Sequence, residues 1–406
     1  MNRRHSLLII SIAAFCVTAT VLETARAGPE IEWGDGFKLE FFQRIQLCNV
    51  YTLSDRRDDA GKRVDDRWDL YLRRARFGMR GVIPVRFGSD TGELGHHEIL
   101  TYKVSFSYSN VGKDRYSGPA GPAEGGTDRS LEVFDAYLSW SADPTWANIT
   151  AGFFRPQAGR ENITAAFRMD SFVKALASNA VRQHLVGRGT GREMGLNVGG
   201  LYHPRNGYLG LNYNAGIFST NDEDIVGTDG GGTHWAPLLA GRVALTIGEP
   251  EKESYGIRYS TNYFGARRGA TFGVQYAHQD RTDLFHQNSL VGFDILANYD
   301  QISLSAEYDF LSREEAGGSY TDRVYHLRAG YNIPLGGEQY LVPAVMYSVL
   351  DGDGDSANWP GEEHTITSLG LNWYLDRVTK INLHYVWQGV PDDRGNFVGM
   401  GLQLVW

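Results

Sequence analysis

Asn396-Phe397-Val398-Gly399-Met400-Gly401-Leu402-Gln403-Leu404-Val405-Trp406 ends the chain with a period of two. Val398, Met400, Leu402, Leu404 and Trp406 share one face, while Gly399, Gly401 and Gln403 share the other. Such alternation belongs to a β-strand with two unlike faces. Working back, Ile381, Leu383, Tyr385 and Trp387 oppose Lys380, Asn382, His384 and Gln388. Ile302, Leu304, Ala306, Tyr308 and Phe310 oppose Ser303, Ser305, Glu307 and Asp309. One such strand says little, but the pattern runs the whole length.

The repeats predict sixteen antiparallel strands. They cover about 37–51, 68–82, 98–110, 131–141, 147–156, 190–202, 207–219 and 237–248. The rest cover 269–280, 288–297, 300–312, 321–333, 339–350, 364–375, 378–388 and 396–406. Residues 255–266 also alternate, so eighteen strands is the alternative count; loop parity favours a long turn there. Short linkers at 142–146, 203–206, 298–299, 334–338 and 376–377 fit one end of a barrel. Long ones at 52–67, 111–130, 157–189, 220–236 and 351–363 fit the other. The apolar faces end in Tyr or Trp and the opposite faces are small, polar or charged. That is the lipid band, aromatic girdle and polar lumen of an all-β, transmembrane, up-and-down barrel.

Composition agrees. Mean hydropathy is −0.34 and no apolar run reaches the length of a membrane helix. A formal charge of −9 excludes a strongly basic nucleic-acid binder. Arg3, Arg4 and His5, the apolar run 7–22 and Ala25-Arg26-Ala27 read as a signal peptide over 1–27. Cleavage would leave 28–406 as a single barrel domain, with Cys48 as its lone cysteine and no intrachain disulfide. An outer-membrane location follows. Neither G-x-S-x-G nor H-E-x-x-H occurs, so no enzyme is expected.

Selectivity in a wide barrel rests on charges at its narrowest point. Arg74, Arg76 and Arg80 alternate with Ala75, Phe77 and Met79. An arginine facing lipid near the midplane costs about 2–4 kcal/mol, so this column faces the lumen. There it either lines an anion path or pairs with carboxylates such as Asp135, Asp294 and Glu307. The connection 157–189 carries Arg160, Arg168, Lys174, Arg182 and Arg188 beside too many apolar residues for a solvated loop. It reads as a partly helical constriction folded inward; a surface loop packed on its neighbours is the alternative. Lys38, Arg44, Lys103, Arg242, Arg328 and Lys380 are further lumen bases by parity. No cofactor is expected. Asp351, Asp353, Asp355 and Glu362 have the spacing of a calcium loop, but position six is Ser356 and the flanks are strands, so a solvated acidic loop competes with a Ca2+ site.

Four strings carry a family resemblance: RRARFGMRG (Arg73 to Gly81), FDAYLSW (Phe134 to Trp140), ITAGFFRP (Ile149 to Pro156) and GRV (Gly241 to Val243). In combination they resemble the phosphate-selective porin O and P family. The resemblance implies a passive, sixteen-stranded outer-membrane channel for small anions, phosphate or polyphosphate among them, assembled as a homotrimer. It also implies contact with outer-membrane lipid and lipopolysaccharide, and a final strand read by the barrel-assembly machinery. The chain differs from the family in using arginines where a lysine-rich staircase is usual. Two other functions compete: a general or sugar-type diffusion porin, and a structural or adhesive barrel whose acidic loops bind divalent ions.

Overall fold

The computed structural model describes residues 28–406 except 35, 55–60, 63–64, 86–97, 114–130, 188–189, 205–207, 221–231, 390–394 and 406. The expected signal peptide, Arg188 and Trp406 lie outside the described residues.

Sixteen long antiparallel strands form one closed sheet. They are β1 (Phe37–Leu53), β2 (Arg67–Val85), β3 (Glu98–Val111), β4 (Glu132–Asp143), β5 (Ala147–Phe154), β6 (Glu193–Tyr202), β7 (Leu209–Ser219) and β8 (Leu238–Gly248). Then follow β9 (Gly269–Gln279), β10 (Gln287–Tyr299), β11 (Ile302–Glu315), β12 (Gly318–Tyr331), β13 (Gln339–Asp351), β14 (Glu363–Tyr374), β15 (Lys380–Gly389) and β16 (Asn396–Val405). Each pairs with its sequence neighbours, and β16 closes on β1 from Asn396↔Leu53 to Val405↔Arg44. Beyond that seam, a short strand Glu30–Trp33 continues along the same edge of β1. Residues 255–266 add no strand. Sixteen is the count.

Closure satisfies every strand edge internally, as a backbone in lipid requires. Leu304, Leu327, Val345, Leu369, Leu383 and Trp387 are exposed on the outer surface, while Ser303, Glu307, Arg328, Asn372 and Lys380 are buried inside. Two bulges shift this alternation. In β2, Gln46 pairs with Arg74 but Leu47 with Leu72, leaving Arg73 unpaired. Trp68 and Leu70 are exposed on one side of the bulge, and Phe77 and Met79 on the other, so Arg73 and Arg74 both turn inward. In β4, Ser105 pairs with Asp135 but Phe106 with Val133, and Phe134 and Asp135 are both buried.

The inner face is not polar throughout. Leu238, Ala240, Ala277, Leu290, Leu311, Val324 and Leu350 form an apolar layer near the end that bears the long connections. Cys48, Val50, Ile366, Val386 and Phe397 extend it around the seam. This departs from the expectation of small, polar or charged lumen faces. The layer has an occupant.

Candidate functional site

Between β5 and β6 the chain folds into the barrel through α1 (Arg160–Ile163), a single 3-10 turn (Ala166–Arg168) and α2 (Leu176–Val186). Ala177, Ala180, Val181 and Leu185 of α2 bury against the apolar layer. Phe172, Val173 and Ala175 fill the part beside the seam. Gly399 faces Phe172 so closely that a Cβ would stand 2.6 Å from the ring. The inward loop is thus seated by apolar burial, the dominant favourable term in packing.

Ion pairs fix it in rotation. Arg328 donates to Glu161 through Nη1 and Nη2 at 3.0 and 2.8 Å. Arg160 donates to Glu251 at 3.0 and 2.8 Å, and Arg242 to Asp294 at 2.7 and 2.6 Å. Burial draws the Glu251 carboxyl up, but Arg160 outweighs it and holds the group at about 2. Burial likewise opposes Arg328 and His326 at Glu161, which ends well below the ordinary carboxylate range. Lys174 donates to the Glu161 carbonyl at 2.5 Å and to Ser178 Oγ at 3.0 Å, and Lys380 donates to the Met169 carbonyl. The sequence reading placed Arg160 and Lys174 in the anion path and Arg242, Arg328 and Lys380 among further lumen bases. Here Arg160, Lys174, Arg328 and Lys380 tie the loop to its surroundings, and Arg242 pairs within the wall. Lys38 is also relocated: it is exposed and bonded to Glu32, with Glu30 at 3.5 Å.

The remaining bases converge on the wall of β1 to β5. Arg80 pairs with Glu40, its Nε donating at 2.7 Å. Lys103 and Arg192 share Asp135. Arg74 donates to Gln46 Oε1 at 2.5 Å. Arg182 donates to the Ser178 carbonyl and Asn179, and Arg155 to the carbonyls of Asn162 and Thr190. Among the described residues, the Arg44, Arg76 and Arg168 side chains have no hydrogen bond or ion pair; Arg44 Nε and Arg76 Nε are buried without a partner.

Phenyl rings hold these cations in a row. Arg192 and Arg76 lie 3.4 and 3.7 Å from the Phe134 centroid. Arg76 and Arg44 lie 5.3 and 5.7 Å from Phe167, and Arg44 and Arg80 lie 5.5 and 5.8 Å from Phe42. Each such contact is worth about 0.5–2 kcal/mol and leaves the charge in place. Burial and then the Arg192 charge push Arg182 down to about 10. Burial, then Arg192 and Arg182, push Arg155 down as well. Guanidinium stays charged in proteins, so these directions describe a strongly positive local field. Sequence reasoning missed Arg73, Arg155 and Arg192. Only the β2 bulge left a trace, in the shift of apolar positions from Trp68, Leu70 and Leu72 to Ala75, Phe77 and Met79.

The residues of the calcium spacing have separate partners. Asp351 faces Arg323 at 3.6 Å, Asp353 accepts from the Thr321 and Asp355 amides, and Glu362 meets His364 at 2.8 Å. Among the described residues no three His, Cys, Asp or Glu side chains are grouped to hold a metal. Ser368 Oγ lies 3.0 Å from His384 Nδ1, with Asn372 Oδ1 3.3 Å from Nε2. All three are buried in the wall, with the Phe172 ring 6.3 Å from that of His384.

No family model matches the chain, and no curated protein matches its sequence. Solved structures do. OmpF of Salmonella typhi, in a complex with daunomycin, aligns with a TM-score of 0.56 at 12% identity, covering 93% of this chain and 100% of that one. The anion-selective porin from Comamonas acidovorans gives 0.54 at 15%, over 91% and 99% of the two chains. The outer membrane channel DcaP of Acinetobacter baumannii gives 0.53 at 11%, over 94% and 100%. At these identities the likeness is one of fold: the chain has the porin barrel.

Proposed function

We propose that this barrel is a passive outer-membrane diffusion channel whose anion preference is set by the arginines of β1, β2 and the inward loop. The observation that carries the reading is the trio Arg44, Arg76 and Arg168, cations with no carboxylate partner among the described residues. An anion entering the lumen sheds part of its hydration. Charge-assisted hydrogen bonds from forked guanidinium groups offset that loss. Binding must stay weak enough for release, and the row of ring-spaced arginines supports transfer from one to the next.

Phosphate is the finer proposal, supported by the family resemblance of Arg73 to Gly81 and Ile149 to Pro156. Export by a cleaved signal peptide, insertion by the barrel-assembly machinery, contact with lipopolysaccharide and assembly as a homotrimer belong to the same reading. The test is the zero-current potential of the purified protein in a planar bilayer under a KCl gradient, repeated with added phosphate. Anion preference with chloride current blocked by phosphate is the expected result. Preference without block keeps the anion channel and removes phosphate. No preference leaves a general or sugar-type porin, and no current leaves a structural barrel.

A further inference from the structure

The connection between β8 and β9, residues 249–268, enters the lumen from the end opposite the β5–β6 loop. Its seat is built for it. Tyr255 Oη donates to Asn214 Oδ1 at 2.6 Å and accepts from Asn197 Nδ2 at 2.9 Å. Tyr259 Oη donates to Asn212 Oδ1 at 2.8 Å and accepts from Asn214 Nδ2 at 3.2 Å. At Gly199 an added Cβ would lie 2.3 Å from Tyr255 Oη, so the wall has been cut back to admit this tyrosine.

The segment also clasps the loop. Glu251 receives Arg160, Thr261 donates through its amide and hydroxyl to the Arg168 carbonyl at 3.4 and 3.0 Å, and Thr164 forms a parallel bridge with Tyr259. Between those ties lies Arg258, whose Nη2 donates to Tyr137 Oη on β4 at 3.2 Å. Arg258 thereby reaches across from the clasp to the basic wall. The Arg258 charge acts on Arg168 of the inward loop.

We propose that the constriction is built from both ends of the barrel, and that Arg258 of the β8–β9 connection is a selectivity-determining residue acting together with Arg44 and Arg168. This rests on the anion-channel reading and adds to it a residue from a connection that sequence parity assigned to a turn. A solute passing the narrow region meets guanidinium groups from β1, from the loop and from the opposite connection. Their convergence favours solutes with more than one anionic group over chloride, because each added charge is attracted by all three.

The test compares wild type, Arg258→Gln and Arg258→Cys in planar bilayers, reading the anion-to-cation permeability ratio. Arg258→Gln is expected to lower the ratio about threefold, as loss of one charge about 6 Å from the solute predicts in a water-filled pore. In Arg258→Cys, a cationic methanethiosulfonate should restore the ratio and an anionic one lower it further. Cys48 is fully buried and does not compete for the reagent. Restoration by charge separates selectivity from misfolding, since a damaged barrel would not recover. Wild type without anion preference would sink the channel reading itself. Anion-selective wild type with unchanged Arg258 variants, or thiol reagents of either sign giving one effect, would overturn this inference alone.

Discussion

Arg76 shows how a single residue keeps its charge available inside a protein. A buried guanidinium ordinarily acquires a carboxylate, as Arg242 does with Asp294 and Arg328 with Glu161. Arg76 instead lies against Phe134, which takes up its apolar plane and neutralises nothing. Arg76→Gln should therefore cost little stability, because no hydrogen bond is lost, yet reduce anion preference about fivefold from roughly 1 kcal/mol of lost attraction. Lys38→Gln at the exposed rim should leave the permeability ratio unchanged. Equal effects from the two variants would mean that total charge, and not position, sets selectivity. The sequence showed that arginines face inward, because alternation reports the face. It could not show which arginines are neutralised: Arg160 and Glu251 are 91 residues apart, and Arg328 and Glu161 are 167 apart. Periodicity carries no record of such partners.

At the scale of elements, the loop and the β8–β9 connection hold each other by a tie that depends on pH. The Glu251 carboxyl titrates at about 2 in the folded protein, against about 4.3 for a free glutamate. A lowered acid contributes its stability in full above the free value and loses it as pH falls through the folded one. Open-channel current should be quiet from pH 7 to about 5 and grow noisy as pH drops from about 4 towards 2. Glu251→Gln should be noisy at neutral pH. Noise beginning near pH 6 in wild type would place the controlling group elsewhere. The loop's inward course was legible because Ala165, Ala166, Phe167, Phe172, Val173 and Leu176 are too apolar for solvent. The opposite connection was not: its alternating residues, including Tyr255, Tyr259 and Tyr263, look like a strand. Their hydroxyls bond the lumen wall or Glu251 instead of pairing in a ladder.

For the whole molecule, strand number, order and closure were all readable, since sixteen repeats of one pattern leave few other arrangements. The stabilising contents of the barrel were less visible. Gly399 and Gly401 read as the small residues of a lumen face, and the structure adds that Phe172 occupies the space they leave. Gly399→Ala should cost about 1–3 kcal/mol by overpacking. The measurement is the temperature at which the folded barrel loses its fast electrophoretic migration. Adding Phe172→Leu should recover most of the loss; a double variant no better than the single one would detach the loop from this site.

That same phenylalanine shares one apolar cluster with residues from both sides of the place where the sheet meets itself. Cys48 and Val50 on β1 and Phe397 and Gly399 on β16 complete their inner faces only when Phe172 is present. A barrel zipped shut around an empty interior would leave a greasy ring facing water, and an unzipped one would give the loop half a berth. Joining first strand to last and swallowing the loop are therefore expected to be one cooperative event. The plug serves as a mandrel on which the cylinder is finished.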